Sequence, residues 1–343
     1  MRAAHCKKPE QGFMTPVTLG LTTEILPAGA AAVAQAARYL AAGGLVAFPT
    51  ETVYGLGADA TNPAAIARLY QAKGRPAFNP LIAHVDGLEA ARAIGQLGPD
   101  AIALALAFWP GPLTLVVPRT PQCNVAELAT AGLDTVGLRV PAHPVARALL
   151  QAFGKAVVAP SANLSGHVSP TTASHVASDL KGRIDLVIDG GPVEVGVEST
   201  IVGCFAEPML LRPGGVPRAD IERVLGRKLA ELPAETESTT AQPLAPGMLT
   251  SHYAPRTRVR LNAFRVEPGE ALLAFGPTAV VGANAATAVL NLSASGDLAE
   301  AAAHLFGHLR ALDARAATAI AVMPIPAHGL GEAINDRLRR AAA

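Results

Sequence analysis

Residues 48–85 read FPTETVYGLGADATNPAAIARLYQAKGRPAFNPLIAHV, and the order of turns, helix and strand in this stretch decides the fold. Gly44 to Phe48 reads as a short buried strand, and Pro49-Thr50-Glu51-Thr52 halts it. In Tyr54-Gly55-Leu56-Gly57 two close glycines let the backbone approach a neighbour or a ligand. Thr61-Asn62-Pro63 signals a helix start, with a capping side chain and proline at the first helical position. That helix runs to Lys73-Gly74-Arg75-Pro76, where Gly and Pro end it and two cations sit together. Asn79-Pro80 then leads into the apolar strand Leu81 to Val85, with His84 inside it. So many polar side chains around so few turns point to an anion-binding active site.

Outward from this stretch the same alternation continues. Helical patterns at 30–42, 99–108, 144–153 and 171–180 alternate with apolar strands at 113–117, 136–140, 186–188 and 200–202. This predicts an α/β domain whose sheet is covered by helices. From Gly226 to Arg258 the hydrophobic pattern lapses into a stretch rich in Pro, Thr, Glu and Ser, which reads as an extended linker. Beyond it, a strand at 271–275, a helix at 298–312, a strand at 319–322 and a helix from Gly331 predict a smaller, parallel-stranded, Rossmann-like α/β domain. The expected division is 18–226, a linker or lid at 227–258, and 259–343. No nucleotide-binding fingerprint marks the second domain, which reads as a regulator or a support for the lid.

Composition sets outer bounds. The chain has 343 residues and a net charge of +1. That is long enough for two cores and gives no broad nucleic-acid footprint. No apolar run approaches the length needed to cross a membrane, and the first residues do not form a secretory signal. Met14 offers a second candidate start beside Met1. Cys6, Cys123 and Cys204 are isolated, supporting neither a disulfide framework nor a metal knuckle, and they fit a reducing cytoplasm.

Four further clusters accompany the opening one. In Thr135-Val136-Gly137-Leu138-Arg139-Val140-Pro141, Thr135 and Arg139 share one face of a strand. A buried arginine there needs an anion, either a bound ligand or a structural carboxylate. Pro160-Ser161-Ala162-Asn163-Leu164-Ser165-Gly166, continuing to Ser169-Pro170-Thr171, follows a strand with small polar side chains. It suits phosphate oxygens or forms an ordinary turn. The third cluster is Gly196-Val197-Glu198-Ser199-Thr200-Ile201, continuing to Leu211-Arg212-Pro213-Gly214. The fourth, Pro246-Gly247-Met248-Leu249-Thr250-Ser251-His252-Tyr253-Ala254-Pro255, lies in the linker. It reads as a loop folding over a site or as a hydrophobic clip.

PTETVYGLG, KGRP-x-x-NPL, SAN-x-SG and E-S-T-I, in this order, resemble the YrdC-type domain of threonylcarbamoyl-AMP synthases. The linker P-G-M-x-x-S-H-Y-A-P and the α/β tail are similar to the long, two-domain form of that family. The resemblance covers residues 18–343 and implies a YrdC-like twisted mixed sheet. It implies that L-threonine, bicarbonate and ATP are condensed into L-threonylcarbamoyl-adenylate with release of pyrophosphate. A separate tRNA threonylcarbamoyl transferase complex would then modify the adenosine next to the anticodon. By this resemblance Lys73, Arg75, Ser161 and Asn163 form the catalytic constellation. Thr52, His84, Arg139 and Ser199 hold L-threonine. Arg75, Asn79, Thr135, Ser161, Ser169, Arg212 and Tyr253 contact ATP. Mg²⁺ accompanies ATP through phosphate oxygens and water, because no carboxylate cage is visible. His84 also reads as a core histidine, and Glu51 as a turn stabiliser outside the catalytic set. Two other functions are carried beside this one. The first is a double-stranded RNA or tRNA-binding module, against which the near-neutral charge argues, and a weak tRNA contact stays open. The second is a carbamoyl-phosphate-dependent adenylating enzyme, whose zinc knuckles the cysteine count excludes.

Overall fold

Pro49 and Tyr54 face each other across a tight hairpin, so residues 50–53 are a turn and not a chain break. The glycine-rich segment after the turn is itself a strand. Gly55 and Gly57 pair with Phe48 and Val46, and a Cβ on Gly57 would lie 2.8 Å from the Phe48 ring. The close approach expected of these glycines is thus to a neighbouring strand. The computed structural model describes residues 20–230, 253–277, 280–315 and 317–343.

The first domain carries β1 (Glu24–Pro27), β2 (Val46–Pro49), β3 (Tyr54–Asp59), β4 (Ile82–His84), β5 (Leu113–Pro118), β6 (Thr135–Arg139), β7 (Val157–Val158), β8 (Leu186–Asp189), β9 (Thr200–Cys204) and β10 (Pro208–Arg212). They form one mixed sheet in the order β1-β8-β2-β3-β7-β4-β6-β5-β9-β10. Successive residues point to opposite faces. Val46 and Phe48 of β2, with Leu186 and Ile188 of β8, pack beneath α1 (Ala30–Ala41) and α6 (Pro144–Phe153). Ala47 and Val187, between them, enter the core on the other face. That core takes Ala65, Ile66 and Leu69 of α2 (Pro63–Lys73), Leu104 of α4 (Pro99–Phe108) and Val176 of α7 (Ala173–Leu180). Two short helices, α3 (Leu88–Ile94) and α5 (Glu127–Thr130), connect strands, and α8 (Arg218–Leu225) follows β10.

Helix α2 begins as its sequence predicts. Asn62 caps it by accepting from the backbone N–H groups of Ala64 and Ala65, and Gly74 ends it in the left-handed conformation at φ 60°. The second domain has four parallel strands, β11 (Val259–Arg260), β12 (Ala271–Ala274), β13 (Val289–Asn291) and β14 (Ile320–Val322), in the order β11-β14-β12-β13. Helices α9 (Leu298–Asp313) and α10 (Gly331–Ala342) cover one face. Most of the predicted linker, including Pro246 to His252, lies outside the described residues, as do Cys6 and Met14. Tyr253 and the residues after it are described.

Candidate active site

The hairpin turn brings its hydroxyls together. Thr50 Oγ1 donates to the Val53 carbonyl at 2.6 Å and lies 2.8 Å from Thr52 Oγ1. Glu51, between them, is buried. Its carboxylate accepts from Arg139 Nη2 at 2.5 Å and from the backbone N–H groups of Ala142 at 2.9 Å and His143 at 3.4 Å. Burial pushes this carboxyl up, but the Arg139 charge and these hydrogen bonds outweigh it and hold the group below its ordinary value. The structure therefore supplies Arg139 with a carboxylate of its own. Arg139 Nε also donates to the Gly111 carbonyl at 3.3 Å.

His84 is the register partner of Arg139 across β4 and β6. Its Nδ1 lies 3.2 Å from the Ile82 carbonyl. Burial, and then the Arg139 charge, push its pKa down to about 3, so the imidazole is neutral at pH 7. This environment fits both of its readings, a core histidine with a satisfied hydrogen bond and a neutral side chain beside Arg139.

Lys73 closes α2 and is fully desolvated. Its Nζ donates to the carbonyls of Ser161 at 2.6 Å and Asn163 at 2.5 Å, which joins the helix end to the loop after β7. Burial, then the neighbouring Arg75 charge, push this amine well below its ordinary value. Arg75 donates to the carbonyls of Asn79 at 3.4 Å and Pro80 at 3.0 Å. Among the described residues, carbonyls meet both of these buried cations and no carboxylate forms an ion pair with either. Asn163 donates through Nδ2 to the carbonyls of Leu164 and His167, and its buried Oδ1 has no partner among the described residues. Asn79 Oδ1 is likewise buried without one.

Ser199, at the start of β9, lies 2.8 Å from Thr114 Oγ1 and accepts from Arg212 Nη2 at 3.2 Å. Ser169 donates to Glu198 Oε1 at 2.5 Å. Tyr253 is buried at φ 64°, its ring stacked on Phe306 of α9 at 5.6 Å. Burial, and then the Glu198 charge, raise its hydroxyl pKa against the opposing pull of Arg337 and Arg212. Thr135 stands apart. It lines a small pocket with Pro80, Leu81 and Gly137, and no hydrogen bond among the described residues joins its side chain to the other candidates. The structure thus gathers Lys73, Ser161 and Asn163 in one group, Arg75 and Asn79 in a second, and Ser199 and Arg212 in a third.

Sequence reasoning passed over Thr114, Glu198 and Arg337 and left Glu51 outside the set. Glu198 stood inside a motif already quoted, and Glu51 inside another. Thr114 and Arg337 carry no local signal, because each gains its meaning from a partner at least 85 residues away.

Residues 38–214 match the Sua5/YciO/YrdC family, described as telomere recombination, and residues 216–343 match the threonylcarbamoyl-AMP synthase C-terminal domain. Over 318 residues the chain is 41% identical to a threonylcarbamoyl-AMP synthase of Pyrococcus abyssi, covering 90% of this chain and 93% of the relative. A Bacillus subtilis threonylcarbamoyl-AMP synthase is 40% identical over 323 residues, covering 90% and 92%. The crystal structure of P. abyssi Sua5 complexed with L-threonine superposes with a TM-score of 0.83 at 37% identity, covering 94% of this chain and 97% of that one. The agreement spans both halves of the sequence, and the chain belongs to the threonylcarbamoyl-AMP synthase family in its two-domain form.

Proposed function

We propose that this chain condenses L-threonine, bicarbonate and ATP into L-threonylcarbamoyl-adenylate and pyrophosphate. The observation that carries the reading is the buried pair Lys73 and Arg75, which donate to backbone carbonyls and meet no paired carboxylate among the described residues. Desolvated cations of this kind favour a charge-dense anion, and a nucleoside triphosphate supplies one.

The threonine ammonium first loses a proton, and the free amine then attacks the bicarbonate-level carbon, forming a C–N bond as water leaves. The resulting carbamate oxygen attacks the α-phosphorus of ATP, and pyrophosphate leaves with the electron pair of the broken P–O bond. Both steps ask for positioning and charge neutralisation more than for a protein nucleophile. Lys73, Arg75, Ser161 and Asn163 act on the triphosphate and the carboxylate derived from bicarbonate. Thr52, Arg139, Ser199 and a neutral His84 hold L-threonine, with Glu51 fixing the fork of Arg139. Asn79, Thr135, Ser169, Arg212 and Tyr253 contact the nucleotide. The linker around Tyr253 acts as a lid that keeps water from the labile adenylate.

Mg²⁺, bound together with ATP, would supply charge neutralisation at the phosphates. Among the described residues the buried carboxylates Glu51 and Glu198 are already engaged by arginines, so this chain would hold the ion through the nucleotide and not through a carboxylate cage of its own. A tRNA threonylcarbamoyl transferase complex in the cytoplasm consumes the product. No helix among the described residues is long and apolar enough to cross a membrane.

Pyrophosphate release measured with each reactant omitted in turn tests the reading. Release that requires ATP, L-threonine and bicarbonate together is the expected result. Release driven by carbamoyl phosphate without threonine would move the chain to the carbamoyl-adenylating class. Absence of turnover, with RNA binding that weakens steeply in salt, would replace the enzyme by a binding module.

A further inference from the structure

Helices α9 and α10 lie against the site-forming loops of the first domain. A Cβ on Gly196 would fall 2.3 Å from the Ala302 carbonyl of α9, so the backbone of that helix rests directly on the loop before Glu198. Val53, Val168 and Val197 of the first domain share one apolar core with Leu305, Phe306 and Leu309 of α9. The second domain therefore completes its core with residues from three loops of the first.

Two arginines of the second domain reach across to the first. Arg310 of α9 donates to the Val168 carbonyl at 2.5 Å and to both carboxylate oxygens of Asp179, at 3.3 and 3.0 Å. Arg337 of α10 has no exposed surface. Its Nε donates to Glu198 Oε2 at 2.7 Å, its Nη1 to Asp336 at 2.5 Å and its Nη2 to the Pro213 carbonyl at 3.0 Å. The guanidinium also lies over the Tyr253 ring, 5.2 Å from its centroid. Three of these four partners belong to the first domain or the linker. Glu198 then passes the connection on, since its other oxygen accepts from Ser169.

We propose that Arg337 of the second domain is a positioning residue for the nucleotide site: it fixes the Glu198 carboxylate and the Tyr253 ring, and through Glu198 the hydroxyl of Ser169. A planar fork matches this arrangement because it serves a carboxylate and a carbonyl at its edge while its face lies on an aromatic ring. Neutralisation matters as much as aim. An unpaired Glu198 carboxylate beside Ser169 and Arg212 would repel the triphosphate that those residues face. The second domain thereby acquires a part in ATP use without touching ATP. This inference rests on the nucleotide reading of Ser169 and Tyr253 given above.

The test compares MgATP binding with L-threonine binding, each measured by titration calorimetry on the full chain, together with the melting temperature. Arg337→Met leaves a buried carboxylate unpaired at a cost to folding, so the decisive variant is the charge-balanced Glu198→Gln/Arg337→Met. It should melt near the wild-type temperature, hold L-threonine within about twofold and bind MgATP about tenfold more weakly, the effect of losing one charge-assisted hydrogen bond. Arg337→Lys keeps the charge without the fork and should recover part of the loss. MgATP binding equal to wild type in the double variant would overturn the inference, as would equal weakening of both ligands with a large fall in melting temperature. Wild-type protein that binds MgATP but releases no pyrophosphate would overturn the proposed reaction alone, because the binding comparison still decides the role of Arg337.

Discussion

Two buried arginine–carboxylate pairs hold this site, and they differ in what they join. Glu51 and Arg139 meet at 2.5 Å inside the first domain, tying the hairpin turn to the end of β6. Glu198 and Arg337 meet at 2.7 Å across the two domains, tying the loop before β9 to the last helix of the chain. Both carboxylates accept further hydrogen bonds, from the Ala142 and His143 N–H groups in one case and from Ser169 in the other. The first pair fixes the shape of one domain, and the second makes the site depend on how two domains dock. Lys73 and Arg75 differ from both pairs: they are desolvated, donate to backbone carbonyls, and form no ion pair with a carboxylate among the described residues.

Breaking one side of the inner pair should give the largest effect. Glu51→Ala leaves Arg139 buried and unpaired, and urea denaturation should show a loss of about 3–5 kcal/mol. A loss below about 1 kcal/mol would mean that water reaches Arg139 and that the pair is not the structural device described. Lys73→Met comes next and sharpens the contrast. It should lower kcat/KM for ATP by about 10²–10³-fold, the scale for removing one preorganised charge donor, while urea stability stays level or rises. A fall in stability matching the fall in activity would make Lys73 a structural residue.

A smaller effect concerns the second interdomain clasp. Burial pushes the Asp179 carboxyl up, but hydrogen bonds from His167 and Arg310, with the Arg310 charge, bring its pKa down to about 2 from an ordinary 3.8. A folded-state pKa below the unfolded value gives stability that is complete above about pH 4 and is lost as pH falls through 2. The melting-temperature gap between wild type and Asp179→Asn should therefore be widest at neutral pH and close in acid. A gap independent of pH would remove ionisation from the account of this clasp. The least effect is expected at the exposed Glu89–Arg92 pair, where Glu89→Ala should change stability by less than about 0.5 kcal/mol.

Most elements of the first domain were legible because their signals are local. Asn62-Pro63 starts α2 and Gly74 ends it, as written in the sequence. Helices α4 and α6 occupy the predicted residues. Strand β3 was hidden because two of its residues are glycines, which carry no β-pattern until Phe48 and Val157 are seen to fill the space above Gly57. Edge strand β1 and strand β10 were also missed, being short and flanked by loop-like residues. In the site, Lys73, Ser161 and Asn163 were readable as a group through motif resemblance, and the structure joins them by hydrogen bonds. Arg139 was readable as needing an anion, but its partner was not, because Glu51 lies 88 residues away. Arg337 was invisible for the same reason: within its own helix it is one of several arginines, and only docking makes it the buried one.

The most direct test of the account is the identity of the product. Wild-type protein would be incubated with ATP, L-threonine and carbon-labelled bicarbonate, and the nucleotides separated and weighed by mass spectrometry. An AMP adduct containing both threonine and the labelled carbon, absent when threonine is withheld, is the predicted result. An adduct without threonine, or label that never joins a nucleotide while ATP is consumed, would contradict it.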